Sequence, residues 1–289
     1  MKDKTFRLKS GHTLAYTEQG DLSGQPVFFI HGNPGSRLPF HPDETIAQSS
    51  GLRLITPDRP GYGLSDFQAR RTLLDFPSDL AQLADYLDIE RFSLFGFSAG
   101  GPYVAACAYL IPNRIRQAAI VSGVSPIDRE GFYDGMLPAW RSAFLISKRL
   151  PFWMLRALIW IQTVKVKKNP EQAVTDFGAT LNDSDRLILS RPEIKNAFIK
   201  NRLEATRKGA KGWAQEAKIL ASPWGFHLEA ITVPIALWYW ENDTVVPLQM
   251  AHYLASKIHD TSLHIHPDGG HLSVIDAWEA ILQQLSAEL

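Results

Sequence analysis

Hydrophobic and polar residues follow two different spacings along this chain. Short apolar runs that end in glycine or proline turns predict buried strands, and apolar residues at helical spacing predict helices between those strands. In the first part of the chain the apolar runs are residues 27–30, 52–55, 92–95 and 118–121. Strands that alternate with helices are typical of a mostly parallel sheet with helices on its faces, so the pattern predicts an α/β fold.

Both ends of the chain extend this pattern. Residues 6–8 and 13–16 are joined by a glycine turn and predict an edge hairpin. Residues 235–240 and 262–265 predict two more strands near the C-terminal end. A last helix is predicted by an apolar stripe that consists of Val274, Trp278, Ile281, Leu282 and Leu285.

The middle of the chain does not follow the strand, turn and helix alternation. Tryptophans, basic residues and apolar residues at helical spacing replace it. We therefore predict a helical cap at residues 126–223, inserted into a core domain that residues 1–125 and 224–289 form together.

Within the predicted cap, residues 150–161 are apolar around nearly the whole circumference of a helix, and Lys165, Lys167 and Lys168 follow. A helix of this kind is usually buried on all sides, so we favour a helix sandwiched between the cap and the core. Contact with a lipid surface or with a second subunit is the alternative.

Overall charge and composition narrow the classes of partner. Lys plus Arg and Asp plus Glu both number 30, so the chain has no net field that attracts nucleic acid. The single cysteine, Cys107, excludes an internal disulfide and is interpreted as a buried core thiol.

The sequence shows no signal peptide and no uncharged run of membrane-spanning length. We expect a cytoplasmic protein without integral membrane association.

A serine lies in the glycine-rich segment Gly96-Phe97-Ser98-Ala99-Gly100-Gly101, directly after a predicted strand and before a predicted helix. A tight turn at this point projects the Ser98 hydroxyl away from the sheet. Only glycine-sized neighbours at 96 and 100 let the strand and the helix pass that closely. Ser98 is therefore the candidate nucleophile.

A serine needs a base to take its proton, and that base needs an acid to fix its tautomer. His271 follows a flexible turn between the last strand and the last helix, and Asp243 follows the penultimate strand directly. Both emerge at the carboxyl edge of the predicted sheet, in the chain order serine, aspartate, histidine that this fold class uses. The competing acids are Asp128, Glu241 and Asp268, of which Asp268 is too near His271 in sequence to orient its ring easily.

Two N–H donors are needed where negative charge develops on an attacked carbonyl oxygen. Ala99 N–H lies at the start of the helix after Ser98. The second donor is expected from the loop after the strand at 27–30, where Pro34 has no N–H and Asn33 is the natural choice. The Asn33 side chain is a further candidate to reach the site.

The chain resembles the α/β-hydrolase superfamily over nearly its whole length apart from the cap. The motifs that carry the likeness are His31-Gly32-Asn33-Pro34-Gly35, residues 58–65, 96–101 and 242–247, and Gly270-His271. The resemblance implies an eight-stranded, mostly parallel sheet with an inserted helical cap. It also implies that residues 58–65 and His31 are structural.

The resemblance also narrows the chemistry. The His-Gly-Asn-Pro loop is similar to that of haloalkane dehalogenases and epoxide hydrolases, which attack with a carboxylate, whereas this chain has Ser98. A serine suits an acyl-enzyme intermediate, so we expect a small ester, thioester, lactone or amide as substrate, with no cofactor and no metal. Aromatic residues of the cap favour an apolar acyl or aromatic group; they are Trp140, Phe144, Trp153 and Trp160.

Other functions are also compatible with these motifs. His264, His266 and His271 superficially resemble zinc ligands, but a zinc site would leave the serine turn unexplained. A ligand receptor without turnover can share this scaffold. The runner-up enzymes are a carbon–carbon bond hydrolase and a proline-releasing aminopeptidase, the second of which needs cap carboxylates to hold an amine. The available carboxylates, whose simplest interpretation is a solvated helix face, are Glu171, Asp176, Asp183, Asp185 and Glu193.

Overall fold

The computed structural model describes residues 3–128 and 130–287. Its sheet has eight strands in the order β1-β2-β4-β3-β5-β6-β7-β8. β1 and β2 form the predicted antiparallel edge hairpin, and β2 is also antiparallel to β4, while all the other neighbours are parallel. The strands are β1 Lys4–Arg7, β2 Thr13–Gly20, β3 Gln25–Ile30, β4 Leu52–Pro57, β5 Phe92–Phe97, β6 Ile115–Val121, β7 Ile235–Trp240 and β8 Thr261–His266.

Helices connect the strands and pack on both faces of the sheet. α2 packs with α3, which contacts β5 and β6, and α1 packs with α11, which contacts the same two strands. The helices are α1 Thr45–Ser49, α2 Phe76–Tyr86, α3 Gly101–Leu110, α4 Pro138–Arg149, α5 Phe152–Lys168, α6 Pro170–Gly178, α7 Asp183–Ser190, α8 Pro192–Ala205, α9 Lys211–Leu220, α10 Gln249–Lys257 and α11 Trp278–Ser286. The predicted α/β fold with an eight-stranded, mostly parallel sheet is confirmed.

The central strands are apolar because both of their faces are covered. Every residue of β5 and β7 is buried, as a parallel strand between two helical layers requires. Cys107 lies fully buried in α3. One detail of the last helix differs from the prediction, because Val274 belongs to a short 3-10 turn, His271–Val274, that precedes α11.

Between β6 and β7 the chain forms the helices α4 to α9, here called the helical insertion (residues 138–220). Ile127 and Phe132, which precede α4, belong to the same buried core as the sheet, and so do Val174 and Ile188 of the insertion. Because the apolar packing is continuous, the division at 126–223 into core and cap stays a prediction.

The prediction that residues 150–161 form a helix sandwiched between cap and core is wrong. In α5 only a narrow stripe is buried, including Leu155 and Ile159, which pack against α9. Trp153 is 70% exposed and Trp160 is 59% exposed. Apolar residues thus occupy the outer as well as the inner side of α5, which is why its sequence resembles that of a fully buried helix.

A tight turn joins β5 to α3 and depends on glycines that leave no room for a side chain. A Cβ built on Gly96 would lie 2.5 Å from the carbonyl of Gly100 and 2.8 Å from Val104 Cγ2. A Cβ on Gly100 would clash with the carbonyl oxygen of Ile30 on β3. The turn between these glycines holds Ser98 at a φ of 55°, in the left-handed region that serine rarely adopts.

We expect Gly100→Ala to destabilise the protein, because the new methyl group would clash with the backbone of the neighbouring strand, which cannot move aside as a side chain can. Overpacking of this kind costs about 1–3 kcal/mol of the free energy of unfolding, which chemical denaturation measures. Gly178→Ala is the matched control, since its Cβ would meet only the flexible Leu189 side chain at 3.4 Å. Equal stability of the two variants would contradict the packing constraint.

Candidate active site

Three side chains that are far apart in the sequence meet at the carboxyl edge of the parallel strands. Ser98 follows β5, Asp243 follows β7 and His271 follows β8. His271 Nε2 lies 3.0 Å from Ser98 Oγ, and His271 Nδ1 lies 2.8 Å from Asp243 Oδ2. The structure therefore brings together the serine, the acid and the base that the sequence analysis selected.

The Asp243 carboxylate is fixed by the turn that carries it. Its Oδ1 accepts hydrogen bonds from the backbone N–H groups of Val245, at 2.9 Å, and Val246, at 2.8 Å. This leaves Oδ2 for His271. Asp243 is buried, so water does not compete strongly for the carboxylate.

His271 is buried against the ring of Phe97, whose centroid is 4.8 Å from the imidazole centroid. Burial by itself lowers the pKa of His271, but the adjacent Asp243 carboxylate and, more weakly, Asp185 favour the charged form. The net effect raises the pKa of His271 above its usual value. The imidazole is thus arranged to accept a proton and to be stabilised as a cation.

The position of Asp185 differs from the sequence-based expectation. A solvated helix face is its simplest interpretation from sequence, but Asp185 is fully buried in α7. Its carboxylate accepts the backbone N–H of His271 at 2.9 Å and that of Leu272 at 2.7 Å. The helical insertion thereby holds the turn that carries His271. The Asn182 side chain caps α7 by accepting the Asp185 N–H, so the local sequence signals the start of this helix and not the burial of Asp185.

The loop after β3 lies beside Ser98. A Cβ on Gly32 would be 3.5 Å from Ser98 Cβ. Arg59, which is ion-paired with the buried Glu216, donates to the carbonyl oxygens of His31 and Gly32 and so holds this loop. His31 Nε2 accepts the Arg59 backbone N–H at 3.2 Å, which is a structural role.

Asn33 lies in this loop with its side chain already engaged. Its Oδ1 accepts a hydrogen bond of 2.9 Å from the Tyr62 hydroxyl, so the side chain is held by the 58–65 loop. The bond occupies the amide oxygen and fixes the orientation of the Asn33 side chain, and Asn33 also lines the cavity beside Ser98. Ala99 is buried in the turn after Ser98, at the start of the segment that leads into α3.

A small cavity of about 60 Å³ lies between the sheet edge and the helical insertion. From the core it is lined by Ser98, His271, Phe97 and the loop at 31–35. From the insertion it is lined by Trp140 of α4, Phe177 of α6 and three residues of α8, namely Phe198, Asn201 and Arg202. The cavity is narrow, and aromatic side chains form its wall opposite Ser98.

Several residues considered from sequence lie elsewhere. The competing acids Asp128, Glu241 and Asp268 are exposed. Trp153 and Trp160 are on the outer surface of α5 and do not line the cavity, in contrast to the expectation for them. Phe144 packs against Phe132, with ring centroids 5.2 Å apart. The cap carboxylates other than Asp185 are exposed; they are Glu171, Asp176, Asp183 and Glu193.

The histidines of β8 pack against tryptophans. The rings of His264 and His266 stack on Trp238, with centroids 4.6 and 5.4 Å apart, and His266 also stacks on Trp240. Over residues 3–128 and 130–287, no group of three or more His, Cys, Asp or Glu side chains is placed to hold a metal ion. In the same residues, no helix is both long enough and apolar enough to cross a bilayer.

Comparisons with known proteins agree with this architecture. A model of the α/β hydrolase fold matches residues 25–277. A non-heme chloroperoxidase from Streptomyces lividans is 34% identical over 125 residues, which cover 43% of this chain and 45% of that protein. The uncharacterized hydrolase YcgS from Bacillus subtilis is 24% identical over 274 residues, which cover 91% of this chain and 89% of that protein.

Among solved structures, an esterase from Exiguobacterium antarcticum is similar with a TM-score of 0.68 and 19% sequence identity, over 97% of each chain. The family match runs from the start of β3 to the residues just before α11, and so includes the segments that carry Ser98, Asp243 and His271. This chain belongs to the α/β-hydrolase fold family.

Proposed function

We propose that this protein is a serine hydrolase that cleaves a small carboxylic ester, thioester or lactone through an acyl-enzyme intermediate on Ser98. The observation that carries this proposal is the continuous hydrogen-bonded chain from Ser98 Oγ through His271 to Asp243, with distances of 3.0 and 2.8 Å. A serine hydroxyl within reach of an oriented imidazole is activated for attack on a carbonyl carbon.

In the proposed reaction, His271 Nε2 takes the Ser98 proton as Oγ attacks the substrate carbonyl carbon. The backbone N–H groups of Asn33 and Ala99 stabilise the oxyanion, and Asp243 stabilises the imidazolium. His271 then gives its proton to the leaving group, which departs and leaves the acyl group on Ser98. Water that His271 activates attacks the acyl-enzyme and releases the acid, so the cycle needs no cofactor and no metal.

We also propose that residues 126–223 act as a cap that limits the substrate. Trp140, Phe177 and Phe198 of the helical insertion line the cavity opposite Ser98. Aromatic side chains on one wall and a volume of about 60 Å³ favour a small acyl group over a long chain.

The aminopeptidase alternative has less support. A substrate amine needs a carboxylate in the cavity, but none of the described residues that line it is an Asp or a Glu. Asp185, the buried carboxylate of the insertion, is already occupied by two backbone N–H groups. The cavity instead contains the cation of Arg202.

We expect Ser98→Ala to lower the turnover of p-nitrophenyl acetate and butyrate by roughly 10³-fold or more, because the nucleophile is lost. Initial rates at saturating substrate measure this change. Ser122→Ala is the matched control, because Ser122 follows the neighbouring strand β6 and, like Ser98, has a positive φ, here 42°. Ligand binding without turnover in the wild type would favour a receptor, and cleavage of proline p-nitroanilide alone would favour an aminopeptidase.

We expect kcat/KM to fall as the pH decreases through the pKa of His271, because only the neutral imidazole accepts the Ser98 proton. The pKa of His271 is raised, so the midpoint of this decrease lies above 6.5. A pH profile of kcat/KM measures the midpoint. In Asp268→Asn, which changes an exposed carboxylate three residues from His271, the midpoint should not move. A rate that stays constant down to pH 5 would exclude a histidine base.

A further inference from the structure

Arg202 is a cation in the candidate active site, and no described carboxylate forms an ion pair with it. It projects from α8 and lines the cavity that also contains Ser98 and His271. Its guanidinium carbon lies 4.1 Å from the centroid of the Phe177 ring and 4.9 Å from that of the Phe198 ring. Its Nε is buried and has no hydrogen-bond partner among the residues that the structure describes.

The other charged arginines near this site are neutralised. Arg37 pairs with Asp58 and Glu204, and Arg59 pairs with Glu216. Arg71 also lacks hydrogen-bond partners, but it does not line this cavity. A buried donor without an acceptor is costly, so the Nε of Arg202, in a side chain that lines the substrate cavity, calls for an acceptor from the ligand.

Burial lowers the pKa of Arg202 to about 10, so the side chain is still cationic at neutral pH. Its planar fork of N–H donors matches the two oxygens of a carboxylate. The two phenylalanine rings hold the guanidinium against the cavity wall, so little freedom is lost when an anion binds.

On the basis of the proposed serine hydrolase function, we propose that the substrate carries a free carboxylate that Arg202 binds while Ser98 attacks a separate ester or lactone carbonyl. The substrate class is then the half-esters of small dicarboxylic acids and small lactones that bear a carboxylate. Arg202 acts in specificity and does not take part in bond making.

The test compares two esters of matched size, monomethyl glutarate and methyl valerate, in a pH-stat assay. We expect the wild type to prefer the monoester by at least about tenfold in kcat/KM, the effect of one charged hydrogen-bonded contact. In Arg202→Met this preference should disappear, and Arg202→Lys should restore part of it. Lys200→Met is the control, because it removes an exposed cation from the same helix and should leave the preference unchanged.

Glutarate binding to Ser98→Ala, measured by calorimetry, separates this proposal from the proposed reaction. Binding that Arg202→Met abolishes in the Ser98→Ala background supports the carboxylate site even if neither ester is hydrolysed. Hydrolysis of both esters without preference, together with no glutarate binding, would overturn the carboxylate site and leave the hydrolase function intact. If Arg202→Met lowers kcat/KM equally for both esters and also lowers the melting temperature, Arg202 has a structural role instead.

A different observation concerns the outer surface of α5. Trp153, Ala157, Trp160, Ile161 and Val164 lie on the side of the helix opposite the buried stripe that Leu155 and Ile159 begin. Trp160, Ile161 and Val164 also line an open groove of about 450 Å³ between α5 and α6, whose charged lining residues are Lys165, Lys168 and Asp176. Apolar side chains that are exposed side by side on a protein surface often mark a site of interaction.

The charge along α4 and α5 is positive, although Asp176 of α6 also lines the groove. Residues 135–170 contain Lys and Arg at seven positions and contain no Asp or Glu, whereas the chain as a whole has no net charge. All seven are exposed: Arg141, Lys148, Arg149, Arg156, Lys165, Lys167 and Lys168. Tryptophans beside lysines are typical of helices that lie in the interface of an anionic bilayer. A second copy of this chain would place like charges against each other.

We propose that the outer face of α5 docks on the surface of an anionic phospholipid bilayer. The tryptophans enter the interface, and the lysines reach the headgroups with their long side chains. The proposed contact is peripheral, with α5 lying along the bilayer surface.

The test is co-sedimentation with vesicles of phosphatidylcholine, alone or mixed equally with phosphatidylglycerol. We expect the wild type to bind the mixed vesicles, and the double variant Trp153→Ser, Trp160→Ser to bind at least about tenfold more weakly, because its interfacial side chains are lost. Leu22→Ser is the control, because Leu22 is 60% exposed and lies between β2 and β3.

The absence of wild-type binding to the mixed vesicles at low salt would overturn this proposal. Equal binding by the double variant would also overturn it. The wild type could instead form a concentration-dependent dimer that the double variant does not form, and not bind vesicles. In that case the outer face of α5 contacts a second copy of the chain.

Discussion

Close backbone packing at the end of β5 is the constraint on which the rest of the site depends. Gly96 lies against the carbonyl of Gly100, and Gly100 in turn lies against the carbonyl oxygen of Ile30. The chain can reverse here only if Ser98 takes a left-handed φ of 55°, a conformation that local sterics disfavour by about 1–2 kcal/mol and that the surrounding packing maintains. The hydroxyl is thereby directed to His271.

The base is positioned from two sides of the molecule. Asp243, on the turn after β7, contacts the imidazole, and Asp185 of the helical insertion binds the backbone N–H groups of His271 and Leu272. The insertion therefore contributes the cavity wall and also fixes the main chain of the base. Residues of the helical insertion thus contact both the cavity and the turn that carries His271.

The sequence predicts those features whose causes are local. Apolar runs predicted the buried strands because parallel strands between two helical layers have no polar face. The glycine-rich turn, the positions after apolar runs and the chain order of the fold class placed Ser98, Asp243 and His271 after the correct strands. The features that failed depend on packing between distant segments. Trp153 on α5 is exposed and Asp185 on α7 is buried, and neither outcome is encoded in the residues beside them.

The position of Arg202, on which the proposed substrate specificity depends, could not be predicted from the sequence either. It is one of several basic residues in a helical segment, and only the folded arrangement shows that it lines the cavity without a partner among the described carboxylates.

The central claim is that folding activates one serine by placing it against a buried imidazole. Incubation with a fluorophosphonate, followed by proteolysis and mass spectrometry, tests this most directly. The account predicts an adduct on the peptide that contains Ser98, formed by the folded protein and not after denaturation. A folded protein that forms no adduct, or that forms it on another serine, would contradict the account.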